Sequence, residues 1–312
     1  MPNYQGVWSL SEQYQNAGIW PSPPGNAAFS GGTYGTEVSI VQTIRIESAG
    51  NATDYGNLSE AKYSSAAVSS TTRGVVAGGF PSTNVIEFFE YASTGAVFDF
   101  GDLSGSYYNL SGSGSDTRGI INGGTNESNV ISYITIASTG NASDFGDLTV
   151  ARQGTAAFSS TTRAVAFGGL GVGSVYLNTI DYVTIASTGN ATDFGDAISA
   201  VITSAGFSSS TRGVSAGGRT GSSTRINVIQ YVTIASTGNA TDFGDISDAV
   251  NYVAGASNKT VGVVAGGTDG SSYRNVIEQV TIASTGNATD FGDLTVALSG
   301  AAGCSNAHGG LA

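Results

Sequence analysis

The chain has 312 residues, 46 of them glycine, with 40% hydrophobic and only 11% charged residues, a turn-rich β composition rather than a disordered one. A formal charge of -12 with 11 scattered Lys and Arg excludes the clustered basic footprint that nucleic acid requires. A single cysteine, Cys304, and a single histidine, His308, exclude an intrachain disulfide and a His-rich or Cys-rich metal cage, so no cofactor or metal is expected.

Residues 1–26 stand apart and hold both tryptophans, Trp8 and Trp20. The N-terminus lacks a basic start followed by an apolar core, and no apolar run reaches the length of a membrane helix, so a chain without signal peptide or membrane insertion is expected. Ser9-Leu10-Ser11-Glu12 has the form of a capping box, which predicts a short helix placing Leu10 and Tyr14 on one face. Gly18 can end that helix, and Pro21-Ser22-Pro23-Pro24 forces an extended connection. Trp8, Leu10, Tyr14 and Trp20 either pack back onto the rest of the chain or form an aromatic anchor for another protein.

From residue 27 onward the chain is organised by one recurring phrase, clearest as Gly189-Asn190-Ala191-Thr192-Asp193-Phe194-Gly195-Asp196. Its first acids, Asp54, Asp99, Asp144, Asp193, Asp242 and Asp290, are separated by 45, 45, 49, 49 and 48 residues, the mark of a repeat architecture. Each unit reads as four antiparallel strands. In one of them, Thr155 to Ser160 and Ala164 to Phe167 make a hairpin ending at Gly168-Gly169, and a β-branched strand from Thr179 is followed by a turn and a last strand ending at Phe194. Apolar groups on both faces of Tyr182-Val183-Thr184-Ile185 require sheets stacked face to face around an axis. The small pair Ala156-Ala157, with Ala66, Ala67 and Ala205, suits the crowded innermost strand. Residues 26–32 read as a second strand without its first, and residues 298–304 as a first strand without its unit, so the chain ends are expected to complete one blade and remove open sheet edges.

The expected fold is therefore all-β: a six-bladed β-propeller of four-stranded antiparallel blades at 27–312, preceded by a short arm at 1–26. The double glycines at 78–79, 123–124, 168–169, 217–218 and 266–267 resemble those of kelch repeats, although the aromatic residues that follow them in that family are missing or replaced. The arm, with Gly6-Val7-Trp8-Ser9-Leu10 followed by Tyr14 and Trp20-Pro21, resembles a segment of phage structural and tail-fibre proteins. That resemblance implies a virion location and binding of other virion proteins, in the tail or capsid, through the arm.

One face of such a propeller carries short turns that hardly vary between units, and the other carries loops of unequal length after each Gly-Gly. Variable loops on a rigid scaffold are where binding concentrates. Phe80, Tyr176, Arg219, Arg225, Tyr273 and Arg274 in those loops, with Tyr107, Tyr108 and Tyr252 in adjoining connections, form the expected ligand or receptor face for a host-surface glycan or protein. The paired acids such as Asp193 and Asp196 are expected to hydrogen-bond turn amides, with calcium as the alternative. Their sixfold repetition does not separate two carboxylates into distinct acid and base roles, so no catalytic residue is expected. Arg73, Arg118, Arg163 and Arg212, with Lys259 in the fifth hairpin, are read as solvated turn charges or as a docking ring for an acidic partner. The sequence thus points to a non-enzymatic virion protein that recognises a host surface. A purely structural adaptor, plug or capsid decoration is the alternative, and a glycan-cleaving enzyme a third.

Overall fold

The computed structural model describes residues 25–93, 95–221 and 223–311, so Trp8, Leu10, Tyr14 and Trp20 lie outside the described residues. The described chain is all-β and propeller-like, with antiparallel four-stranded sheets that each run in strand order from inside outward. The unit read above becomes Ala156–Ser159, Arg163–Phe167, Thr179–Thr184 and Thr192–Asp196. Four others repeat it from Ala66–Ser69, Leu110–Gly114, Ala205–Ser208 and Ala254–Ser257 outward. A sixth sheet is assembled from both chain ends: Ala302–Ser305 pairs with Asn26–Ser30, beginning at Ala27 opposite Ser305, and Ile40–Arg45 and Thr53–Asn57 complete it. The loop between Phe167 and Thr179 adds an unforeseen small sheet of Arg152–Gln153, Leu170–Gly171 and Val175–Tyr176.

Inner strands such as Ala66–Ser69 and Ala156–Ser159 are buried at every position and burial falls toward outer strands such as Thr192–Asp196, as sheets covered on both faces demand. Six apolar clusters bridge consecutive sheets, one joining Ile44, Ile46 and Phe29 of the sheet that holds the chain ends to Val263, Ile277 and Phe291 of the last sheet. Each inner strand likewise touches the next, and Ala302–Ser305 touches Ala66–Ser69. Hydrophobic burial is therefore shared between neighbours, so no sheet has a core of its own.

The recurring phrase does more than turn the chain. Its Gly-Asn-Ala segment lies along the outer strand of the preceding sheet, as where Gly238 N donates to the Phe194 carbonyl at 2.8 Å and Ala240 N to the Asp196 carbonyl at 2.8 Å. The Asn239 side chain adds a third bond, its Oδ1 accepting from Asp196 N at 3.0 Å. Asn51, Asn141, Asn190 and Asn287 repeat that bond on Asp293, Asp102, Asp147 and Asp245. The outer edge of one sheet is thus covered by backbone from the next, which removes an exposed edge. Gly195 makes room for this clasp: it sits at the register shift of its strand pair with φ 143°, and a Cβ there would lie 2.6 Å from the Gly238 carbonyl. The asparagine, not the acid side chain as the sequence suggested, caps the neighbouring amide.

The ring of arginines is also reassigned. Arg73, Arg118, Arg163 and Arg212 are half-buried, each with its guanidinium 4.1–4.6 Å from the centre of Phe88, Tyr133, Tyr182 or Tyr231 in its own sheet. Each donates onward to a carbonyl of the next sheet, such as Arg118 to Ile185 at 2.7 Å and Arg163 to Ile234 at 2.9 Å. They clamp neighbouring sheets together, since a guanidinium can stack and donate at once. In the fifth complete hairpin the equivalent position is Val261, paired with Thr281 as Arg212 is with Thr233, and Lys259 is an exposed turn residue.

Candidate binding face

Short turns gather at one end of the stacked sheets; the loops after Gly-Gly and the connections into each inner strand gather at the other. Between the two ends runs an axial space bounded by the inner strands. Ser160 N donates to Arg163 O at 2.9 Å, which fixes the ladder parity and turns the N–H and C=O groups of Ala157 and Ser159 away from their partner strand, toward the axis. Two contiguous cavities of about 50 and 90 Å³ meet at Ala67, Gly112, Ala157, Gly206, Gly255 and Gly303, which line both. A third cavity of about 80 Å³ continues the space toward the loop end, lined by Ser64, Asn109, Thr203 and Tyr252 among others.

The loop end of the axis is framed by six residues in the left-handed conformation: Ser64, Asn109, Gly154, Thr203, Tyr252 and Gly300, with φ between 55° and 70°. Their backbones link neighbouring sheets, Tyr252 N donating to Thr203 O, Thr203 N to Gly154 O, and Gly300 N to Tyr252 O, each at 2.8 Å. The buried pairs Lys62–Glu87 at 2.7 Å and Arg152–Asp181 at 3.0 Å hold the connections that carry this frame. Glu87 also accepts from Ser59, and Asp181 from Thr149, so each carboxylate ties a connection to the sheet it enters. Desolvation lowers the Arg152 pKa, and Asp181 opposes that effect.

Aromatic groups crown the frame. Phe80 packs 5.2 Å from both Tyr63 and Tyr108, edge-on to Tyr108. Burial raises the pKa of Tyr252, with Arg219 acting against it and with Tyr108 and Tyr176 close enough to add to it. The pKa of Tyr63 is raised first by burial and then by Tyr252, Glu37, Tyr108 and Tyr273. Arg219 stands 5.9 Å over the Tyr176 ring. The structure thus brings Phe80, Tyr108, Tyr176, Arg219 and Tyr252 together at the loop end, and adds Tyr63 from the connection that enters Ala66–Ser69, the counterpart of the one that holds Tyr252.

The remaining candidates lie further out or elsewhere. Arg225 donates to Asn251 Oδ1 at 3.1 Å. Arg274 is held by Asp269 at 2.9 Å and Asp248 at 3.4 Å, so its charge is spent within the loops. The Asp269 pKa is lowered, chiefly by the amides of Ser271 and Ser272. Tyr273 is exposed, whereas Tyr107 packs against the apolar cluster between the sheets that start at Ala66–Ser69 and Leu110–Gly114. The loop end also carries exposed apolar side chains: Tyr34, Val150, Val172, Val175, Ile198, Tyr273 and Val296 lie there, and among the described residues only Phe98 is a large exposed hydrophobic elsewhere. Stacking planes, loop-bound arginines and apolar groups at the mouth of a polar-walled space suit the holding of a ligand.

No protein-family model matches the chain, and no curated protein does. Among solved structures, the one described as "Structure of YjhT" is similar in fold, with a TM-score of 0.65 over 77% of this chain and 86% of that chain at 11% identity.

Proposed function

We propose that the chain is a six-bladed, kelch-like β-propeller that acts as a non-enzymatic recognition module of a phage virion, held by its arm and presenting the loop face to the host surface. The observation that carries the reading is the polarity of the molecule. The described chain enters at Gly25 beside the turns, where Ile46 N donates to Gly25 O, and leaves by residues 306–311 at the same end. The exposed apolar side chains gather at the opposite end. An arm bound to a particle at the turn end would leave the loop face, with its exposed apolar side chains, pointing outward. The virion assignment rests on the resemblance of the arm, and the surface it meets would be a glycan or a protein.

Recognition is tested by changing exposed groups that no fold contact needs. Tyr273→Ala, Val172→Ser and Ile198→Ser together are expected to weaken adsorption of the purified protein to host cells at least tenfold with an unchanged melting temperature. Adsorption equal to the parent would leave a purely structural adaptor as the better reading. Quantitative mass spectrometry of purified particles tests the location separately, and absence from the particle would remove the virion assignment without touching the binding face.

A further inference from the structure

The axial edges of the inner strands are closed by a belt of serines. Ser159 Oγ donates to the Gly114 carbonyl at 2.7 Å, Ser208 Oγ to Ser159 at 2.7 Å, Ser257 Oγ to Ser208 at 2.8 Å and Ser69 Oγ to Ser305 at 2.8 Å, with Ser305 Oγ donating to Ser257. Each hydroxyl satisfies a carbonyl that faces the axis rather than a strand. One link is missing from the belt. The sheet that starts at Leu110–Gly114 has Gly114 where the others have serine, because a Cβ there would collide with the Arg118 carbonyl, so no hydroxyl from that sheet reaches Ser69.

The C-terminal tail fills the gap. His308 Nε2 lies 3.2 Å from the Ser69 carbonyl, and its Nδ1 accepts from Gly310 N at 3.0 Å, which fixes the tautomer that donates from Nε2. Gly310 rests against the Gly114 carbonyl with no space for a side chain, Gly309 N donates to Ser208 O at 3.1 Å, and Leu311 is buried. At its root the tail grips the first strand, Asn26 N donating to Asn306 Oδ1 at 2.7 Å and Asn306 N to Asn26 O at 3.1 Å. The segment therefore crosses the axis from the closing strand to sheets on the far side.

We propose that residues 306–311 are the latch of the ring: they pin the closing strand Ala302–Ser305 and, through His308, supply the hydrogen bond that Gly114 withholds. The strand they pin is the one point at which the stack of sheets is joined by a segment from the other end of the chain, so it is where the ring would open. As a second consequence, the tail lies across the turn end of the axial space, with His308 in its lining.

Cys304 reports on the latch, being the sole thiol, buried in the closing strand with Sγ 3.3 Å from Tyr91 Oη. With a thiol-reactive chromophore in excess, His308→Ala is expected to speed Cys304 modification about five- to thirtyfold, the factor for losing 1–2 kcal/mol at the closure. Ser208→Ala, which cuts the belt away from the closure, is expected to change the rate much less. Equal acceleration by both variants, or none by either, would overturn the latch. In the unaltered protein, native-state hydrogen exchange gives a second test that needs no variant to fold. The amides of residues 302–310 are expected to exchange as one unit, ahead of Ala205–Ser208 and Ala156–Ser159, whereas exchange together with those strands would refute the proposal.

Discussion

His308 shows how much a single residue depends on its place. Both ring nitrogens are engaged, Nε2 toward Ser69 and Nδ1 by the Gly310 amide, and burial lowers its pKa to about 4 against an ordinary 6.5, with Ser69 and Asp116 opposing the shift. Protonation would set a second N–H against the Gly310 amide. The unfolded chain takes up this proton as pH falls through about 6.5 while the folded chain stays neutral until about 4, so stability falls with pH across that window. A single proton limits the slope to about 1.4 kcal/mol per pH unit. Urea unfolding between pH 7.5 and 4.5 is expected to show the parent losing stability relative to His308→Gln, and parallel curves would show that the ring does not sense the pH. A lone histidine in the sequence had excluded a metal cage and suggested nothing more, since the gap it fills exists only once Gly114 and Ser69 have been brought to the axis.

At the scale of the element, the loudest sequence signal proves to be an inter-sheet clasp. Gly195 and Gly238 stand at two positions of the recurring phrase, in successive copies, and both have positive φ, but a Cβ at Gly195 would meet the Gly238 carbonyl at 2.6 Å whereas one at Gly238 meets nothing within 4 Å. Gly195→Ala is therefore expected to cost about 1–3 kcal/mol more than Gly238→Ala, because it adds overpacking against the next sheet to a similar backbone strain. Chemical denaturation of the two variants measures the difference, and equal losses would mean that the glycine is kept for turn geometry alone. Strand order within a unit was legible because it follows from alternation, turn residues and Gly-Gly, all local. The arginine clamps were not legible, nor was the bond from the Asp196 amide to Asn239, since each joins residues in different units. Only the fold supplies such partners. The small hairpin of Leu170–Gly171 and Val175–Tyr176 escaped for another reason: strands of two residues leave no period to read.

For the whole molecule the decisive property is whether the stack of sheets closes. The repeat period and the matching half-units at the two chain ends pointed to closure, and the structure pairs Ala302–Ser305 with Asn26–Ser30 and places an apolar cluster between the last sheet and the first. The candidate binding face was legible only in part, because exposed residues such as Tyr34 and Ile198 come together only by sharing an end of the molecule, which no local pattern announces. Closure has a consequence that an open array lacks. Removing residues 197–245 deletes one whole sheet with its leading connection and joins Asp196 to Ile246 in phase. An open array tolerates this, since each repeat contacts only its neighbours and one interface simply vanishes. A six-bladed ring does not, because five sheets of the same wedge shape leave the closing strand short of its partner and expose two unpaired edges. The deletion variant is expected to associate or aggregate in size-exclusion chromatography and to lose its cooperative unfolding transition. A monodisperse monomer melting within a few degrees of the parent would show instead that the sheets stack as an open array.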